Sequence, residues 1–472
     1  MYTPNSIDTP VITWGAHFAG ATVSPANPGY TADELAFQLK DSGAKALVTQ
    51  RAVLKIALTA ADKVGIPHNR IILMGDERDP ENKFKHFSSI RNLSGTDRYR
   101  RVKVDPDKDL AFLVYSSGTT GHPKGVMLSH TNIVANIVQT AAAEKNVTPK
   151  DRILAFLPFF HIYGLTCIMH FATYLGTECV VMPKFAIEDW CRIVQDEKIT
   201  FAFVVPPVVL LLSKHPSVDN YDLSSIRMMS SGAAPLTREI VSAVNKRLSL
   251  PVKQGYGLSE TSPATHMQTW DEWDKYIGAV GKMLPNQTAK FMSLEEKEVP
   301  VGEVGELWIK GPNIFKGYLN NPEGTKNALT DDNYFKTGDV GYLDKEGNFY
   351  ITDRVKELIK YKGFQVPPAE LEGLLGSHPK INDVAVIGVY REDLASEVPL
   401  AYVVSKDQKE AGPGLEKEIQ DWLAAKVANH KRLRGGVKFT NEISKSASGK
   451  ILRRMLKVKY QEEQKGAPKA KL

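Results

Sequence analysis

The segment of residues 115–126 carries a high density of side chains that bind anionic oxygens. Glycines lack the Cβ atom that keeps a backbone away from a ligand, so their main-chain N–H groups can turn towards phosphate oxygens. Hydroxyls donate further hydrogen bonds, and a lysine adds a mobile positive charge. The pattern predicts a loop that holds a polyphosphate through three glycines (Gly118, Gly121, Gly125), four hydroxyls (Ser116, Ser117, Thr119, Thr120) and Lys124.

The position of the lysine distinguishes this loop from the Walker type. A Walker loop has Gly, four residues and then Gly-Lys-Ser/Thr, whereas Lys124 stands between Pro123 and Gly125. The apolar run 110–115 predicts a strand before the loop, and capping residues followed by helical apolar spacing predict a helix from Ser129 onward. The alternative interpretation is a surface turn without a ligand.

Five further segments place small or polar residues at the ends of apolar runs, where α/β folds put their sites. Residues 158–164 set aromatic rings and an imidazole beside a glycine, and residues 230–236 form a small-residue loop. Residues 254–261 combine an aromatic ring, a hydroxyl and a carboxylate. Residues 337–340 put an acid at a turn, and residues 444–454 present a lysine on a Gly/Ser loop.

Four of these segments carry a charged or titratable residue, and each of those four residues also has a purely structural interpretation. His161 alone would more often be a core histidine, and Glu260 could stabilise a helix N-terminus. Asp339 could hold a turn, and Lys450 could be one more solvated charge. The occurrence of all the segments in one chain favours the functional interpretation.

Length and charge limit the class of protein. A chain of 472 residues predicts two or three domains. Its 60 basic and 54 acidic residues give a net charge of +6, too mild and dispersed to indicate a nucleic-acid partner. The basic runs 431–434 and 453–459 fit a solvated helix face or the attraction of an anionic cofactor.

The apolar run 201–212 is shorter than the roughly 20 residues of a membrane span and contains two prolines, so it predicts a buried strand and a helix. No transmembrane segment is therefore expected. Alternating strand and helix patterns before the turn at Asp344 predict an α/β fold with largely parallel sheets. Three cysteines without paired or zinc-like spacing (Cys167, Cys179, Cys191) are predicted to be reduced core residues.

The pattern changes near Lys356, where a compact unit begins. Residues 368–375 and 415–428 are predicted helices, and residues 384–389 and 401–405 are predicted strands. We therefore predict a large N-terminal domain of α/β layered sheets over residues 1–355. A small α+β C-terminal domain is predicted over residues 356–472. Boundaries of this kind carry an uncertainty of a few residues.

In their order along the chain, these segments resemble the adenylate-forming superfamily of acyl-CoA synthetases, 4-coumarate-CoA ligases and luciferases. Similarity is greatest to the 4-coumarate-CoA ligase-like branch at residues 355–370. The resemblance implies an ATP-dependent acid–thiol ligase that uses Mg²⁺, forms an acyl-adenylate from an aryl or medium-chain acid, and then forms the coenzyme A thioester. Two alternatives stay open: an acyl-adenylating enzyme without transfer to coenzyme A, and an inactive shortened form.

For the first step, the resemblance implies that the loop of residues 116–124 holds the β- and γ-phosphates and that Glu260 binds Mg²⁺. Tyr256 would stack on adenine, Asp339 and Arg354 would hold the ribose, and Lys450 would bridge the carboxylate and the α-phosphate. The remaining positions implied to contact ATP or AMP are Gly232, Ala233, Ala234, Gln254, Gly255, Ser259 and Lys356.

For the second step, the resemblance implies a mobile C-terminal domain that rotates about Lys356. Lys360 and Gln365 would then replace Lys450, and Gly363 would leave a tunnel for pantetheine. Lys184 and Lys362 would meet the phosphates of coenzyme A. The positions implied for the acyl pocket are His161, Tyr163, Ala233, Gln254 and Met267.

Both ends of the chain carry further expectations. The last residues, Ala470, Lys471 and Leu472, differ from the Ser-Lys-Leu peroxisomal address only at the first position, which predicts import by the peroxisomal receptor and a cytoplasmic location otherwise. The start at Met1 corresponds to a point that family members reach after several secondary-structure elements. An N-terminally shortened large domain is therefore expected, with exposed apolar surface and lowered stability.

Overall fold

The computed structural model describes residues 1–90, 102–116, 123–293, 295–362, 364–446 and 449–466, without the side chains of 464–466. It has the predicted mixed α/β composition, with a large N-terminal part and a smaller C-terminal part. Predicted residues that lie outside the described ranges are Ser117, Gly118, Thr119, Thr120, Gly121, Gly363, Ala470, Lys471 and Leu472.

The first 90 residues form a small α/β layer. Tyr2 is completely buried, and its hydroxyl donates to the carbonyl oxygens of Pro28 and Tyr30. A capping box between Thr31 and Glu34 begins the second helix. The elements are α1 (Asp8–Phe18), α2 (Ala32–Asp41), β1 (Leu47–Thr49), α3 (Leu54–Val64), β2 (Ile71–Leu73), β3 (Lys85–His86) and α4 (Phe87–Ile90), with β1, β2 and β3 in one parallel sheet.

An antiparallel hairpin encloses the predicted phosphate loop. Strand β4 (Leu110–Ser116) confirms the predicted strand, and it pairs with β5 (Lys124–Ser129). Lys124, predicted in the loop, instead opens β5, because it pairs with Ser116 in the ladder. The predicted helix α5 (His130–Ala143) is confirmed, and its cap is Ser129, whose hydroxyl accepts from the backbone N–H of Asn132.

A sheet of seven strands within the described residues forms the centre of the large part. Its strands are β6 (Arg152–Ala155), β7 (Glu178–Val181), β8 (Phe201–Val204), β9 (Met228–Ser231), β10 (Val252–Gly257), β11 (Ala264–Met267) and β12 (Lys282–Met283). Strands β7, β6, β8, β9 and β10 are parallel neighbours in that order, and β11 and β12 extend the sheet antiparallel. The carboxyl ends of β9 and β10 therefore open at one edge of the sheet.

Helices cover this sheet. They are α6 (Phe171–Leu175), which continues a π-helical stretch (Tyr163–His170), α7 (Ile187–Glu197), α8 (Pro206–Lys214) and α9 (Arg238–Leu248). The predicted strand and proline-started helix of residues 201–212 are β8 and α8, and both are confirmed. The fully buried side chains of β8 include Phe201 and Phe203, so this strand lies inside the core.

The predicted α/β fold with largely parallel sheets is confirmed, and residues 288–354 add a sheet of a different kind. These form an antiparallel sheet, because polar turns connect neighbouring strands with little helical chain between them. Its elements are β13 (Thr288–Met292), β14 (Gly305–Lys310), α10 (Pro322–Ala328), β15 (Phe335–Leu343) and β16 (Phe349–Arg354). Pairing of β15 with β16 sets Asp339 opposite Arg354.

The C-terminal part has its own apolar clusters, one around Leu371 and Ile419 and another around Ile387 and Tyr402. Its elements are β17 (Ile359–Tyr361), β18 (Phe364–Val366), α11 (Pro368–Gly376), β19 (Ile381–Arg391), β20 (Ser396–Ser405), α12 (Pro413–Ala424), β21 (Val437–Phe439) and α13 (Arg453–Gly466). The predicted elements of this part, α11, β19, β20 and α12, are confirmed. The exact domain boundary at residue 356 stays a prediction.

The cysteines behave as predicted. Cys167 and Cys191 are buried, Cys179 is half-buried, and all three are free. Burial raises the pKa of the Cys191 thiol to about 12, which keeps it protonated. Across the described residues, every helix is too short or too polar to span a bilayer.

Candidate active site

The turn of residues 158–164 is fixed by a close backbone approach. A Cβ atom on Gly164 would lie 2.3 Å from the carbonyl oxygen of Pro158, so a side chain there would force the turn open. The turn sets Tyr163 at the start of the π-helical stretch, where its hydroxyl donates to the carbonyl oxygen of Ser230 at 2.9 Å. Two separate predicted segments, 158–164 and 230–236, therefore touch.

His161 in the same turn is a neutral imidazole. Burial, together with the positive charge of Lys450, lowers its pKa to about 4. That interaction places His161 near the lysine loop of the C-terminal part. The core-histidine interpretation accounts for its burial, whereas its nearness to Lys450 supports the predicted place at the site.

The small-residue loop after β9 approaches the ring of Tyr163. A Cβ atom on Gly232 would lie 3.3 Å from that ring, and the Gly232 N–H donates to the carbonyl oxygen of Val204 at 3.2 Å. Ala233 has a φ of 72°, a left-handed conformation that disfavours a larger or β-branched side chain. Gly232 is thus buried and fixed, and the exposed Ala233 and half-buried Ala234 are the residues of this loop that a flat ligand could contact.

Gln254 lies in the wall behind this loop, 5% exposed. Its amide nitrogen donates to the carbonyl oxygen of Leu236 at 3.0 Å, and its amide oxygen accepts from Gly278 N–H at 2.9 Å. On the neighbouring strand, Met267 pairs with Gly255, and a Cβ atom on Gly255 would lie 3.3 Å from the Met267 side chain. Gln254 is therefore held by backbone groups, and Met267 lines the strand beside it.

The segment 254–261 delivers its side chains to the antiparallel sheet. The Tyr256 hydroxyl donates to Asp339 Oδ2 at 2.5 Å. Arg354 Nε lies 2.9 Å from Asp339 Oδ1, so both carboxylate oxygens have a partner. Asp339 is 3% exposed and its backbone N–H donates to Thr337 Oγ1 at 3.0 Å, so the carboxylate is fixed in place.

The position of the Glu260 side chain depends on Tyr318, a residue that the sequence analysis did not identify. Ser259 begins a 3₁₀ turn (Ser259–Thr261), and the Phe315 N–H donates to the carbonyl oxygen of Glu260 at 2.9 Å. The Tyr318 hydroxyl donates to Glu260 Oε1 at 2.8 Å. Lys124 Nζ lies 4.8 Å from the centre of the Tyr318 ring, a cation–π distance. Tyr318 therefore joins the base of the phosphate loop to the acid.

Lys450 enters this cluster from the C-terminal part. Its loop is closed by a bridge between Lys445 and Ile451, and the Lys450 N–H donates to Ser446 Oγ at 3.1 Å. Burial lowers the pKa of Lys450 to about 8, helped by the charge of Arg354, while Asp339 and Glu357 oppose the shift. The lysine thus lies half-buried beside the same ion pair that holds Tyr256.

The predicted residues of the second step lie apart from this cluster. The side chains of Lys356, Lys360, Lys362 and Gln365 are exposed on or beside the β17–β18 hairpin. Lys184 is exposed in the connection between β7 and α7. Among the described residues predicted for adenylation, the structure brings Glu260, Asp339 and Arg354 together with Lys450. The described residues predicted for thioester formation are exposed and lie outside this cluster.

Sequence reasoning missed two residues of the cluster, Tyr318 and Glu357. Tyr318 follows Gly317 in a polar turn after β14 and precedes the Asn321 cap of α10, a context shared with the other site segments. Glu357 lies in the turn after Arg354, three residues from the predicted ribose contact. Their chemical partners are distant in sequence, so only the tertiary structure identifies them.

Two protein-family models match most of this chain. The model of the AMP-binding enzyme family matches residues 1–319, and the model of the AMP-binding enzyme C-terminal domain matches residues 370–450. This chain belongs to the AMP-binding enzyme family. The predicted adenylate-forming relationship is therefore confirmed.

Two curated relatives in this family illustrate the similarity. A probable 4-coumarate-CoA ligase of Dictyostelium discoideum is 41% identical over 469 residues, which cover 96% of this chain and 84% of the relative. The 4-coumarate-CoA ligase of Pinus taeda is 39% identical over 465 residues, which cover 97% of this chain and 84% of the relative.

Solved structures of family members have the same architecture. The ATP-bound crystal structure of MatB from Rhodopseudomonas palustris matches with a TM-score of 0.86 at 28% identity, covering 98% of this chain and 88% of that one. The anthranilate-CoA ligase AuaEII in complex with anthranoyl-AMP matches with a TM-score of 0.88, covering 98% and 87%. Because this second structure is 24% identical to the chain, its match is evidence for the fold and not for the function.

Proposed function

We propose that this AMP-binding enzyme is a 4-coumarate-CoA ligase-like acid–thiol ligase for an aryl or medium-chain carboxylic acid. It joins an acid to coenzyme A through an acyl-adenylate at the expense of ATP, as its family and its relatives at about 40% identity indicate. One structural observation carries the assignment of residues: Lys450 is half-buried beside Asp339 and Arg354 near the carboxyl edge of the main sheet. A cation in that place suits the meeting of a carboxylate with an α-phosphate.

In the first step the chain's own groups bind, orient and neutralise charge. Asp339 and Arg354 hold the ribose, Tyr256 faces adenine, and residues 232–234 line the base. Lys124 and the loop before it hold the β- and γ-phosphates, and Ser259 contacts the α-phosphate. Attack of the carboxylate on the α-phosphorus breaks the bond to the β-phosphate and expels pyrophosphate. The negative charge that develops on the oxygens is stabilised by Lys450 in a site that excludes water.

Glu260 is the residue we propose as the Mg²⁺ ligand. Mg²⁺ is commonly held by one or two carboxylates together with substrate phosphates, so a single fixed carboxylate fits its needs. Tyr318 holds one oxygen of Glu260 at 2.8 Å and thereby orients the other. The ion would neutralise charge on the phosphates when ATP is bound.

The acid is proposed to lie between the turn of residues 158–164 and the loop of residues 230–236. Tyr163 and Gly232 form one wall, and Gln254 and Met267 with Ala233 complete the pocket. The neutral His161 stands near Lys450, where the carboxylate would react. A mixture of aromatic and apolar walls favours an aryl or medium-chain acid over a highly charged one.

In the second step we propose that the C-terminal part rotates about Lys356. The β17–β18 hairpin then presents Lys360 and Gln365 where Lys450 now lies, and Gly363 leaves room for pantetheine. Lys184 and Lys362 meet the phosphates of coenzyme A. These side chains are exposed while Lys450 lies beside Asp339 and Arg354, which supports two alternating positions of the C-terminal part.

A pyrophosphate-exchange screen over cinnamates, phenylacetates and fatty acids of graded length tests the proposal. Exchange with an acid, followed by coenzyme A-dependent release of AMP, supports it. Exchange without thioester formation would favour an acyl-adenylating enzyme of another kind, and ATP binding without any exchange would favour an inactive form. Lys450→Ala should abolish exchange yet leave thiol attack on supplied acyl-adenylate, so equal loss of both steps would reject the role of Lys450.

We also propose a peroxisomal address in residues 470–472. Ala470, Lys471 and Leu472 differ from Ser-Lys-Leu by one hydroxyl, and receptor-read signals of this kind need only an exposed tail. A fluorescent protein that ends in the last ten residues should enter peroxisomes, and the same fusion without Leu472 should stay in the cytoplasm. Cytoplasmic fluorescence of both fusions would reject the address.

A further inference from the structure

The hairpin that carries the proposed thioester-forming residues is a small element. Strands β17 and β18 pair through three residue pairs, Ile359 with Val366, Lys360 with Gln365 and Tyr361 with Phe364. A two-stranded hairpin of this length is marginal without outside support. Lys362 at its turn has a φ of 46°, a left-handed conformation unfavourable for a residue other than glycine. Neighbouring groups must therefore hold it in shape.

Two residues at the start of β20 supply that support through the hairpin backbone. Ser396 Oγ accepts from the Lys362 N–H at 2.8 Å and donates to the Lys360 carbonyl oxygen at 3.0 Å. Glu397 Oε2 accepts from the Lys360 N–H at 2.9 Å. One hydroxyl and one carboxylate thus satisfy three backbone groups along one edge of β17.

The geometry points to Ser396 and Glu397 as positioning residues for the second half-reaction, in which they keep the β17–β18 hairpin in the shape that presents Lys360 and Gln365. The inference rests on the proposed thioester step. Neither side chain needs to touch a substrate, because both act through the backbone of residues 360–362. Adenylation, for which Lys450 occupies the site, should not depend on them.

The surroundings indicate a dedicated clamp rather than general packing. Ser396 is 6% exposed, so its hydroxyl is fixed in place, and its loss would leave the Lys362 N–H without this partner. Glu397 borders an open groove of about 630 Å³ with Lys356, Lys360 and Lys362. The strand β18 is supported as well, because the rings of Phe364 and His430 stack with their centres 4.6 Å apart. Contacts from outside the hairpin therefore hold both of its strands.

Ser396→Ala is the first test, made in the full-length chain with an acid identified by pyrophosphate exchange. Exchange without coenzyme A should stay within about twofold of wild type, while single-turnover conversion of acyl-adenylate to thioester should fall roughly tenfold, the usual scale of one lost hydrogen bond. Ser405→Ala is the matched control. It removes a buried hydroxyl from the other end of β20, bonded to Asp407 O at 2.7 Å, and should change neither step.

Substitutions of Glu397 distinguish its role as a hydrogen-bond acceptor from the effect of its negative charge. Glu397→Gln retains an oxygen that can accept from the Lys360 N–H and should keep most of the thioester rate, whereas Glu397→Ala should resemble Ser396→Ala. If Gln and Ala are equally harmful while Ser396→Ala is silent, the charge in the groove matters and the clamp is refuted. Equal loss of both half-reactions in Ser396→Ala would refute it as well, because that result indicates general destabilisation.

Hydrogen exchange gives a readout that does not depend on the second step. The amides of a peptide spanning residues 358–366 should exchange faster in Ser396→Ala and in Glu397→Ala, and unchanged exchange would overturn the clamp. A wild-type enzyme that forms acyl-adenylate but no thioester with any acid would instead overturn the proposed function. The two failures are therefore distinguishable.

Discussion

Adenylation should decline steeply between pH 7 and pH 9, because the step needs Lys450 in its charged form. An exposed lysine has a pKa near 10.5 and would stay charged over this range. Burial, with the charge of Arg354, instead lowers the pKa of Lys450 to about 8 in the unliganded protein. The value of kcat/KM for the acid reports on that free enzyme.

The magnitude follows from this pKa. With a value of about 8, roughly nine-tenths of the lysine is charged at pH 7 and about one-tenth at pH 9. We therefore expect kcat/KM for the acid to fall about tenfold between these pH values. The pKa of His161, lowered to about 4 by its burial, keeps that imidazole neutral throughout, so it adds no second transition.

The assay is pyrophosphate exchange with ATP and acid both limiting, so that the rate reports on the free enzyme, from pH 6.5 to pH 9.5. Glu357→Gln provides an internal check, since the Glu357 charge raises the pKa of Lys450 and its loss should move the transition to lower pH. A profile that is flat to pH 9.5 would refute the reasoning, because Lys450 would then have an ordinary pKa. A transition that Glu357→Gln leaves in place would show that another group titrates.

Three further substitutions test the site and its support. Tyr318→Phe removes the donor to Glu260 Oε1 and should raise the Mg²⁺ concentration for half-maximal exchange roughly tenfold, with an unchanged KM for the acid; an unchanged Mg²⁺ requirement would contradict the role of Tyr318. Asp339→Asn removes the partner of Arg354 and should raise the KM for ATP at least tenfold, about 1.4 kcal/mol, in initial-rate assays; an unaltered KM would exclude the ribose contact. Glu144→Ala leaves the completely buried Lys253 without its partner at 2.6 Å and should destabilise the protein by about 3 to 5 kcal/mol, measured by denaturant unfolding against Lys253→Met/Glu144→Met, which should recover much of the loss.

Local signals in the sequence were sufficient for elements whose residues interact with near neighbours. The Ser129 cap, the prolines at the start of α8 and the continuous apolar run of β19 each act within a few residues, and each predicted element is present. The sheet β13–β16 was not predicted. Neighbouring antiparallel strands need no crossover helix, so the sequence lacks the strand–helix alternation that indicates a parallel sheet. Partners far apart, such as Glu144 and Lys253, leave no local pattern at all.

For the site, the sequence could name the groups but not their pairing. Asp339, Arg354 and Lys450 were identified from separate segments, and the structure shows that they form one electrostatic unit. The low pKa of Lys450 could not be predicted, because it arises from burial under another part of the chain. The same limit applies to the Tyr318 contact with Glu260.

The hydrogen bond from Tyr256 to Asp339 bears on how a nucleotide would be received. The phenol is tied at 2.5 Å to a carboxylate that also holds Arg354, so the ring has little rotational freedom before any ligand arrives. Ordering one such side chain on binding would otherwise cost about 1 kcal/mol. A carboxylate has about four lone-pair sites, so Asp339 can accept ribose hydroxyls without releasing the ring. The proposed adenine subsite is therefore rigid before ligand binding, and nucleotide entry should require little rearrangement of Tyr256 and Asp339.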